Sequence, residues 1–222
     1  MRVYVITSQV PSNIKRLISI KESDYIIAVD GAFDELIKQK VKIDLVIGDM
    51  DSVKNLRQLR KYEQIKLPRV KDETDSHAAL NHAYSLTNNV IMIGGIQGAR
   101  IEHFIANMLL LDKFPNLLIM DNNSKVYLLK EGSHVVTKSE YVSFFAKEDS
   151  IISLHGFKYE LENYKLNRFN PLAISNEILA SYGEVDVKKG EVYIIKTKEK
   201  RWAHAHLLFL FAILIKLIRF PI

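Results

Sequence analysis

The sequence predicts an α/β N-terminal domain, with a mostly parallel sheet and flanking helices, followed by an all-β C-terminal sandwich domain. In residues 1–122, short apolar runs alternate with segments of helical spacing, which is the pattern of βαβ units. In residues 123–200, short strand-like segments follow one another with little helical periodicity, which is typical of an antiparallel sandwich or barrel. Residues 201–222 match neither pattern and form a separate apolar tail.

The N-terminal part contains alternating apolar strands and helical patterns. The predicted strands occupy residues 2–7, 25–30, 44–49, 90–95 and 117–121. The predicted helices occupy residues 13–20, 31–40, 74–86 and 101–111. The last helix contains the stretch "FIANMLLL", residues 104–111, which we expect to pack in the core because it is almost entirely apolar.

The C-terminal part reads as strands separated by glycine, serine, asparagine or charged residues. The predicted strands occupy residues 125–132, 134–139, 141–148, 150–156, 158–166 and 191–197. The turn-forming stretch "DNNSK", residues 121–125, marks the expected boundary between the two domains.

Composition excludes several classes of protein. The 222 residues include no cysteine, so disulfides, thiolate metal sites and cysteine nucleophiles are absent. The net charge of +5 suits a nucleic-acid binder or an enzyme of anionic nucleotides, but no long run of basic residues favours nucleic acid as a partner. The N-terminus, "MRVYVIT", begins as a strand rather than a signal peptide, which predicts a cytoplasmic protein.

The tail contains the unbroken apolar run "LLFLFAILI", residues 207–215. This run is shorter than the ~20 apolar residues that span a bilayer. A helix docked on the core or in a subunit interface, attachment to a membrane surface, and an irregular extension all remain open. We favour docking, and membrane contact is the less expected alternative.

Polar side chains collect where the predicted parallel strands end. The carboxylates at or just after these ends are Asp30, Asp49, Asp51 and Asp121, and a further strand-like stretch, "IKLPRVKDETD", residues 65–75, runs into Asp72 and Asp75. In an open parallel sheet, ligands bind outside the carboxyl ends of the strands. A single aspartate there is commonly a turn former or helix cap, but several carboxylates on one edge repel one another unless a cation lies between them.

Hard oxygen ligands without histidine or cysteine suit Mg²⁺ that also carries substrate phosphates. Lys71 and Arg100 could balance phosphate oxygens, and the loop "GGIQGAR", which contains Gln97, offers backbone N–H groups before a helix. Asn107 could face the nucleotide or could hydrogen-bond a neighbouring loop. The residues therefore predict a site for Mg²⁺ and a polyphosphate.

Four ordered motifs resemble those of thiamine pyrophosphokinases. They are "VDGAFDELIKQKVKIDLVIGDMDSV", "KDETDSHAAL", "GGIQGARIEHFIAN" and "ISNE", and they cover roughly residues 25–196. The resemblance implies transfer of a diphosphate from ATP to the hydroxyl of thiamine, giving thiamine diphosphate and AMP. It also implies an α/β domain, a β-sandwich domain, and a homodimer with active sites between subunits.

The resemblance also implies roles for individual residues. It assigns Asp49, Asp51 and Asp75 to Mg²⁺ and the polyphosphate, and it places Asp30 in the same acidic cleft. Gln97 and Arg100 match positions near the nucleotide and the transferring phosphates. Ser175 and Asn176 match the segment beside the pyrimidine of thiamine. An aromatic residue such as Trp202 or Tyr182 is expected to stack there.

The chain departs from the family pattern at three places, one of which is "GAF", residues 31–33, in place of a more usual second glycine. Glu102 stands where an aspartate is common, and His77 stands where an acidic residue is frequent. Asp75 or Asp72 is the expected acceptor of the hydroxyl proton. The alternatives are a diphosphokinase acting on a hydroxymethyl pterin, a binding protein that senses thiamine or a nucleotide without catalysis, and a phosphohydrolase.

Overall fold

A computed structural model describes residues 1–7, 9–98, 100–170 and 172–198. The predicted tail, residues 201–222, and Trp202 lie outside the described residues. The α/β part contains β1 (Val3–Ile6), α1 (Ile14–Leu17), β2 (Tyr25–Val29), α2 (Ala32–Lys38), β3 (Leu45–Gly48), α3 (Leu56–Leu59), β4 (Gln64–Lys66), α4 (Asp75–Leu86), β5 (Val90–Ile93), α5 (Ile101–Lys113) and β6 (Leu118–Met120). The remaining strands are β7 (Ser124–Leu129), β8 (Gly132–Thr137), β9 (Tyr141–Ala146), β10 (Ser150–His155), β11 (Leu161–Leu166), β12 (Tyr182–Lys189) and β13 (Val192–Thr197).

The described strands form two sheets. The larger has the order β4-β3-β2-β1-β5-β6-β7-β13-β9, and the smaller has the order β11-β10-β12-β8. The pairings from β4 to β6 are parallel, whereas β7, β13 and β9 pair antiparallel. The predicted fold class, an α/β part followed by a β-sandwich, is confirmed. The larger sheet continues across residue 122, because β7 pairs with β6. The domain boundary expected at residue 122 stays a prediction.

Helices cover both faces of the parallel strands. On one face, Leu80 of α4 and Leu111 of α5 pack with strand residues such as Val5. On the other face, Ile14 of α1 and Phe33 of α2 pack with residues that point the opposite way. Because both faces are buried, the strands read as continuous apolar runs rather than alternating ones.

A third core lies between the two sheets of the C-terminal part. Phe144 of β9 and Ile194 of β13 face Leu154 of β10 and Val187 of β12, and all four side chains are fully or almost fully buried. This packing of two antiparallel sheets makes the C-terminal part a sandwich rather than a barrel.

Several expectations for individual elements were wrong. The predicted helix 13–20 shortens to four residues, because the backbone is already extended at Ile18. The stretch "FIANMLLL" is only partly core, since Ile105 and Leu109 are exposed at 53% and 60%. Strand β12 was not predicted, although Val185 and Val187 alternate with charged residues as a half-buried strand requires.

Among the described residues, no helix is both long and apolar enough to cross a membrane.

Candidate active site

Three carboxylates meet at the carboxyl ends of β2 and β3. One oxygen from each of Asp30, Asp49 and Asp51 lies within 4.8 Å of the others. Asp30 is the residue after β2, and Asp49 and Asp51 follow β3, its parallel neighbour. The sequence prediction that strand ends bring these aspartates together is therefore supported by the geometry of this acidic cluster.

Close backbone contact holds the two strand ends in this arrangement. Gly48 lies so near Asp30 that a Cβ added there would be 2.9 Å from the Asp30 Cβ. Asp30 itself has a φ of 48°, a left-handed value that aspartate tolerates better than most residues. A side chain at position 48 would separate the carboxylates.

The loop after Asp51 is held by Ser52 and Asp34, two residues that the sequence did not mark as part of the site. The Ser52 hydroxyl donates to Asp51 Oδ1 at 2.9 Å, and the Asp51 N–H donates to Asp49 Oδ1 at 3.1 Å. Asp34 of α2 accepts the N–H groups of Lys54 and Asn55 at 2.7 and 3.1 Å. An aspartate in a first helical turn suits the helix dipole by itself, so the sequence carried no distinct signal for this anchoring role.

Lys71 links the acidic cluster to Asp75. Its Nζ lies 2.9 Å from Asp75 Oδ1 and 4.0 Å from Asp49 Oδ2. Asp75 is the first residue of α4, and the preceding Thr74 caps this helix by accepting the His77 N–H. The tertiary structure therefore places Asp30, rather than Asp75, in direct proximity to Asp49 and Asp51. Asp72 is exposed beside this group.

The residues of the acidic cluster suit a hard divalent cation. Among the described residues, Asp30 Oδ1 is buried without a hydrogen-bond partner, so it can accept a ligand that the protein does not supply. Burial raises the pKa of the Asp30 carboxyl, and the nearby charges of Asp51 and Asp49 raise this pKa further. Hydrogen bonds from the Ser52 side chain and the Gly31 N–H lower it, but they do not cancel the effect of burial. Three carboxylates converging with one unpaired oxygen are the donor set that Mg²⁺ prefers.

Replacing Asp30 by asparagine should stabilise the protein in the absence of divalent cations. Because its pKa is raised, the ionised Asp30 carboxylate is less favourable in the folded protein than in the unfolded chain. The free energy of unfolding therefore falls as the pH rises through the raised pKa of Asp30. We expect Asp30→Asn to raise Tm by roughly 2–4 °C at neutral pH, equivalent to ~1 kcal/mol for a chain of this length. Thermal unfolding in EDTA measures this.

The gain in Tm should shrink as the pH falls and Asp30 takes up its proton. Exposed Asp72 provides the control, since its asparagine variant should leave Tm unchanged. A lower Tm for Asp30→Asn would show that the acidic cluster is not repulsive in the free protein.

Gln97 and Arg100, which were also predicted to belong to the site, are not part of the acidic cluster. Gln97 is exposed in the loop after β5 and lines a cavity of about 200 Å³ together with Gln9 and Asp121. Arg100 is exposed, and its Nε forms an ion pair of 2.6 Å with Glu102. Its guanidinium is therefore held by a neighbouring carboxylate, and a phosphate would have to compete with that contact.

The side-chain amides of two asparagines predicted to belong to the site hydrogen-bond to backbone groups of the protein. Asn107 of α5 is buried and donates from Nδ2 to the Gly95 carbonyl at 3.0 Å, which is the loop contact left open by the sequence. Asn176 is also buried, its Oδ1 accepts the Tyr159 and Glu177 N–H groups, and its Nδ2 donates to the Tyr159 carbonyl. Both amides position backbone in this structure.

Ser175 is exposed next to Asn176, and its N–H donates to the Ser143 Oγ on β9 at 2.9 Å. Strand β9 forms one edge of the large sheet, seven strand positions from β3. At ~4.8 Å per strand this separation is roughly 30 Å within one chain. The acidic cluster and Ser175 therefore do not form one site within one chain.

Tyr182 is exposed at the start of β12, opposite Thr137 of β8. The sequence makes Tyr182 one of the candidates for stacking on thiamine, and that role stays a prediction.

Comparison with known proteins gives consistent matches along the chain. The family model described as "Thiamin pyrophosphokinase, catalytic domain" matches residues 17–128, and the model "Thiamin pyrophosphokinase, vitamin B1 binding domain" matches residues 129–192. A thiamine pyrophosphokinase of Bacillus subtilis (strain 168) is 30% identical over 165 residues, covering 68% of this chain and 77% of that protein. Thiamin pyrophosphokinase 1 of Caenorhabditis elegans is 24% identical over 204 residues, covering 82% of each chain.

Solved structures show the same fold. The crystal structure of thiamine pyrophosphokinase from Bacillus subtilis superimposes with a TM-score of 0.81 and 25% identity, covering 90% of this chain and 100% of that chain. The structure of thiamin pyrophosphokinase from Geobacillus thermodenitrificans gives a TM-score of 0.80 at 23% identity, covering 90% of this chain and 99% of that one.

Proposed function

The chain belongs to the thiamin pyrophosphokinase family, and we propose that it transfers a diphosphate group from ATP to the hydroxyl of thiamine, giving thiamine diphosphate and AMP. The observation that carries the proposal is the acidic cluster of Asp30, Asp49 and Asp51, with Lys71 between it and Asp75. This arrangement provides oxygen ligands for a divalent cation and a positive charge within reach of phosphate oxygens.

In the proposed reaction, the hydroxyl oxygen of thiamine attacks the β-phosphorus of ATP. The bond from that phosphorus to the oxygen bridging the α- and β-phosphates breaks, and AMP leaves with the bridging oxygen. The hydroxyl proton passes to a carboxylate, for which Asp75 and the exposed Asp72 are the candidates. Catalysis of this type depends mainly on positioning and on electrostatic stabilisation of the phosphates.

The roles of the charged residues follow from their positions. Asp49 and Asp51, together with Asp30, would hold Mg²⁺. Asp75, at the N-terminus of α4, would supply a further oxygen ligand to the cation. When bound, the cation neutralises phosphate charge and fixes the orientation of the polyphosphate. Lys71 lies 2.9 Å from Asp75 and could turn toward the phosphates, and Arg100 would have to exchange Glu102 for the nucleotide.

The same proposal places the Gln97 cavity at the nucleotide. Gln97 and backbone groups of the loop after β5 would contact ATP there, because this cavity lies at the carboxyl ends of neighbouring strands. Asn107 would contribute indirectly, since it holds the carbonyl of Gly95 in that loop.

A homodimer with active sites between subunits is part of the proposal. The wide separation of β3 and β9 supports it, because only a second copy could bring Ser175 near an acidic cluster. Ser175 would then contact thiamine directly, whereas Asn176 would hold the segment in place through its own hydrogen bonds. A cytoplasmic location stays a prediction.

Product analysis tests the proposed reaction. The full chain is incubated with ATP, Mg²⁺ and thiamine, and the products are separated by chromatography. We expect AMP and thiamine diphosphate in equal amounts, with no reaction when Mg²⁺ is chelated. ADP or free phosphate, transfer to a hydroxymethyl pterin instead of thiamine, or thiamine binding without turnover would contradict the proposal.

A further inference from the structure

A lysine occupies an inward-facing position in the sandwich. Lys196 of β13 follows Val192 and Ile194 on the same face of the strand, and both of those residues are fully buried in the sandwich core. Lys196 is itself only 9% exposed. A lysine is rarely buried to this degree unless it is paired with a carboxylate.

Among the described residues, Lys196 has no such carboxylate partner, and it faces further positive charge. Its Nζ donates to the Thr137 Oγ1 at 2.7 Å, a neutral acceptor, and Lys125 stands directly opposite it on β7. Among the residues that the structure describes, no ion pair involves Lys196, Lys125 or Lys198. Like charges at directly opposed strand positions are destabilising.

These lysines line a cavity of about 460 Å³. We call it the basic pocket, and its cationic residues are Arg16, Lys125, Lys138, Lys196 and Lys198. Its only lining carboxylate among the described residues is Asp121, whose Oδ1 accepts the N–H groups of Asn123 and Ser124. Burial lowers the pKa of Lys196, and the charges of Lys125 and Lys198 act in the same direction.

We propose that the basic pocket binds a small anion carrying two linked phosphate groups. Five cations against one carboxylate exceed what a single phosphate would balance, and lysine ammonium groups bind phosphate as point charges with several donors. A bound diphosphate would give Lys196 an anionic partner and would relieve its repulsion with Lys125.

The basic pocket is separate from the acidic cluster. Lys125 lies in β7, four strand positions from β2 and hence about 20 Å from Asp30. A cation held by the cluster could not contact phosphates bound at Lys196. The basic pocket does adjoin the Gln97 cavity, with which it shares Asp121, Asn122 and Asn123. The proposal therefore concerns a site distinct from the acidic cluster, and binding there does not require a cation at that cluster.

Calorimetric titration of the full chain with inorganic pyrophosphate in EDTA tests the proposal. Without divalent cations, phosphate binding at the acidic cluster is suppressed by repulsion. We expect one binding site per chain, and we expect Lys196→Gln to weaken binding by about tenfold or more, as for loss of one charge-assisted hydrogen bond. Lys165→Gln, which removes an exposed lysine on β11, should leave the affinity unchanged.

Thermal unfolding separates loss of the site from loss of the fold. Without pyrophosphate, Lys196→Gln should unfold at the same temperature as the wild type or higher, because it removes a buried charge. With pyrophosphate, only the wild type and Lys165→Gln should gain stability. Equal pyrophosphate binding by wild type and Lys196→Gln, equal weakening by both substitutions, or no heat of binding to the wild type would overturn the proposal.

Discussion

Asp49→Asn is expected to lower the rate of thiamine diphosphate formation by a factor of about 10²–10³, the range for loss of one strong electrostatic contact in a transition state. Asp49 lies at the centre of the site, since it belongs to the acidic cluster and lies 4.0 Å from Lys71. Asparagine keeps the oxygen that accepts the Asp51 N–H, so the loop should retain its shape. The variant therefore removes charge with little change in volume.

The measurement is the steady-state rate of AMP formation over a series of Mg²⁺ concentrations. Asp149→Asn serves as the matched control, because Asp149 is an exposed aspartate in the turn before β10. Circular dichroism and Tm should match the wild type for both variants. Wild-type turnover by Asp49→Asn would exclude the acidic cluster as the cation site.

Gly95→Ala is expected to lower the free energy of unfolding by about 2–4 kcal/mol, combining left-handed backbone strain with loss of a buried hydrogen bond. Gly95 has a φ of 72°, and a Cβ there would lie 2.4 Å from the Asn107 Nδ2. That nitrogen donates to the Gly95 carbonyl and is buried, so it has little room to move. The loop that carries Gln97 should shift, and the KM for ATP should rise.

Gly156→Ala provides the matched control for this substitution. Gly156 has a φ of 75°, nearly the same as Gly95, but the nearest atom to an added Cβ is the Tyr182 carbonyl oxygen at 3.6 Å. The two variants therefore share backbone strain and differ in the steric contact. Chemical denaturation measures both, and equal losses of stability would mean that the Asn107 contact is unimportant.

Much of the fold follows from local sequence patterns. Continuous apolar runs such as residues 25–29 predict strands buried on both faces, and the structure has β2 there. The pairing of Asp49 with Asp51 is also local, because two residues at one strand end remain close in any arrangement of the sheet. Strand β12 carries a local signal too, since Val185 and Val187 alternate with charged residues, but that signal is only two apolar residues long.

Exposure on α5 is an example of what the local pattern could not decide. Residues 104–111 are almost uniformly apolar, so the sequence shows no polar face to mark Ile105 and Leu109 as exposed. Which side of such a helix is covered depends on the elements packed against it, and those are distant in the chain.

The sequence by itself determined the fold class, the family and the aspartates that follow the parallel strands. Only the tertiary structure decided that Asp30, rather than Asp75, is the direct neighbour of Asp49 and Asp51, that Asn107 and Asn176 are occupied by backbone groups, and that Lys196 faces Lys125. The physical reason is that periodicity specifies the face on which a side chain lies. The partners of that side chain depend on which strands become neighbours, and strand order is a property of the whole packed chain.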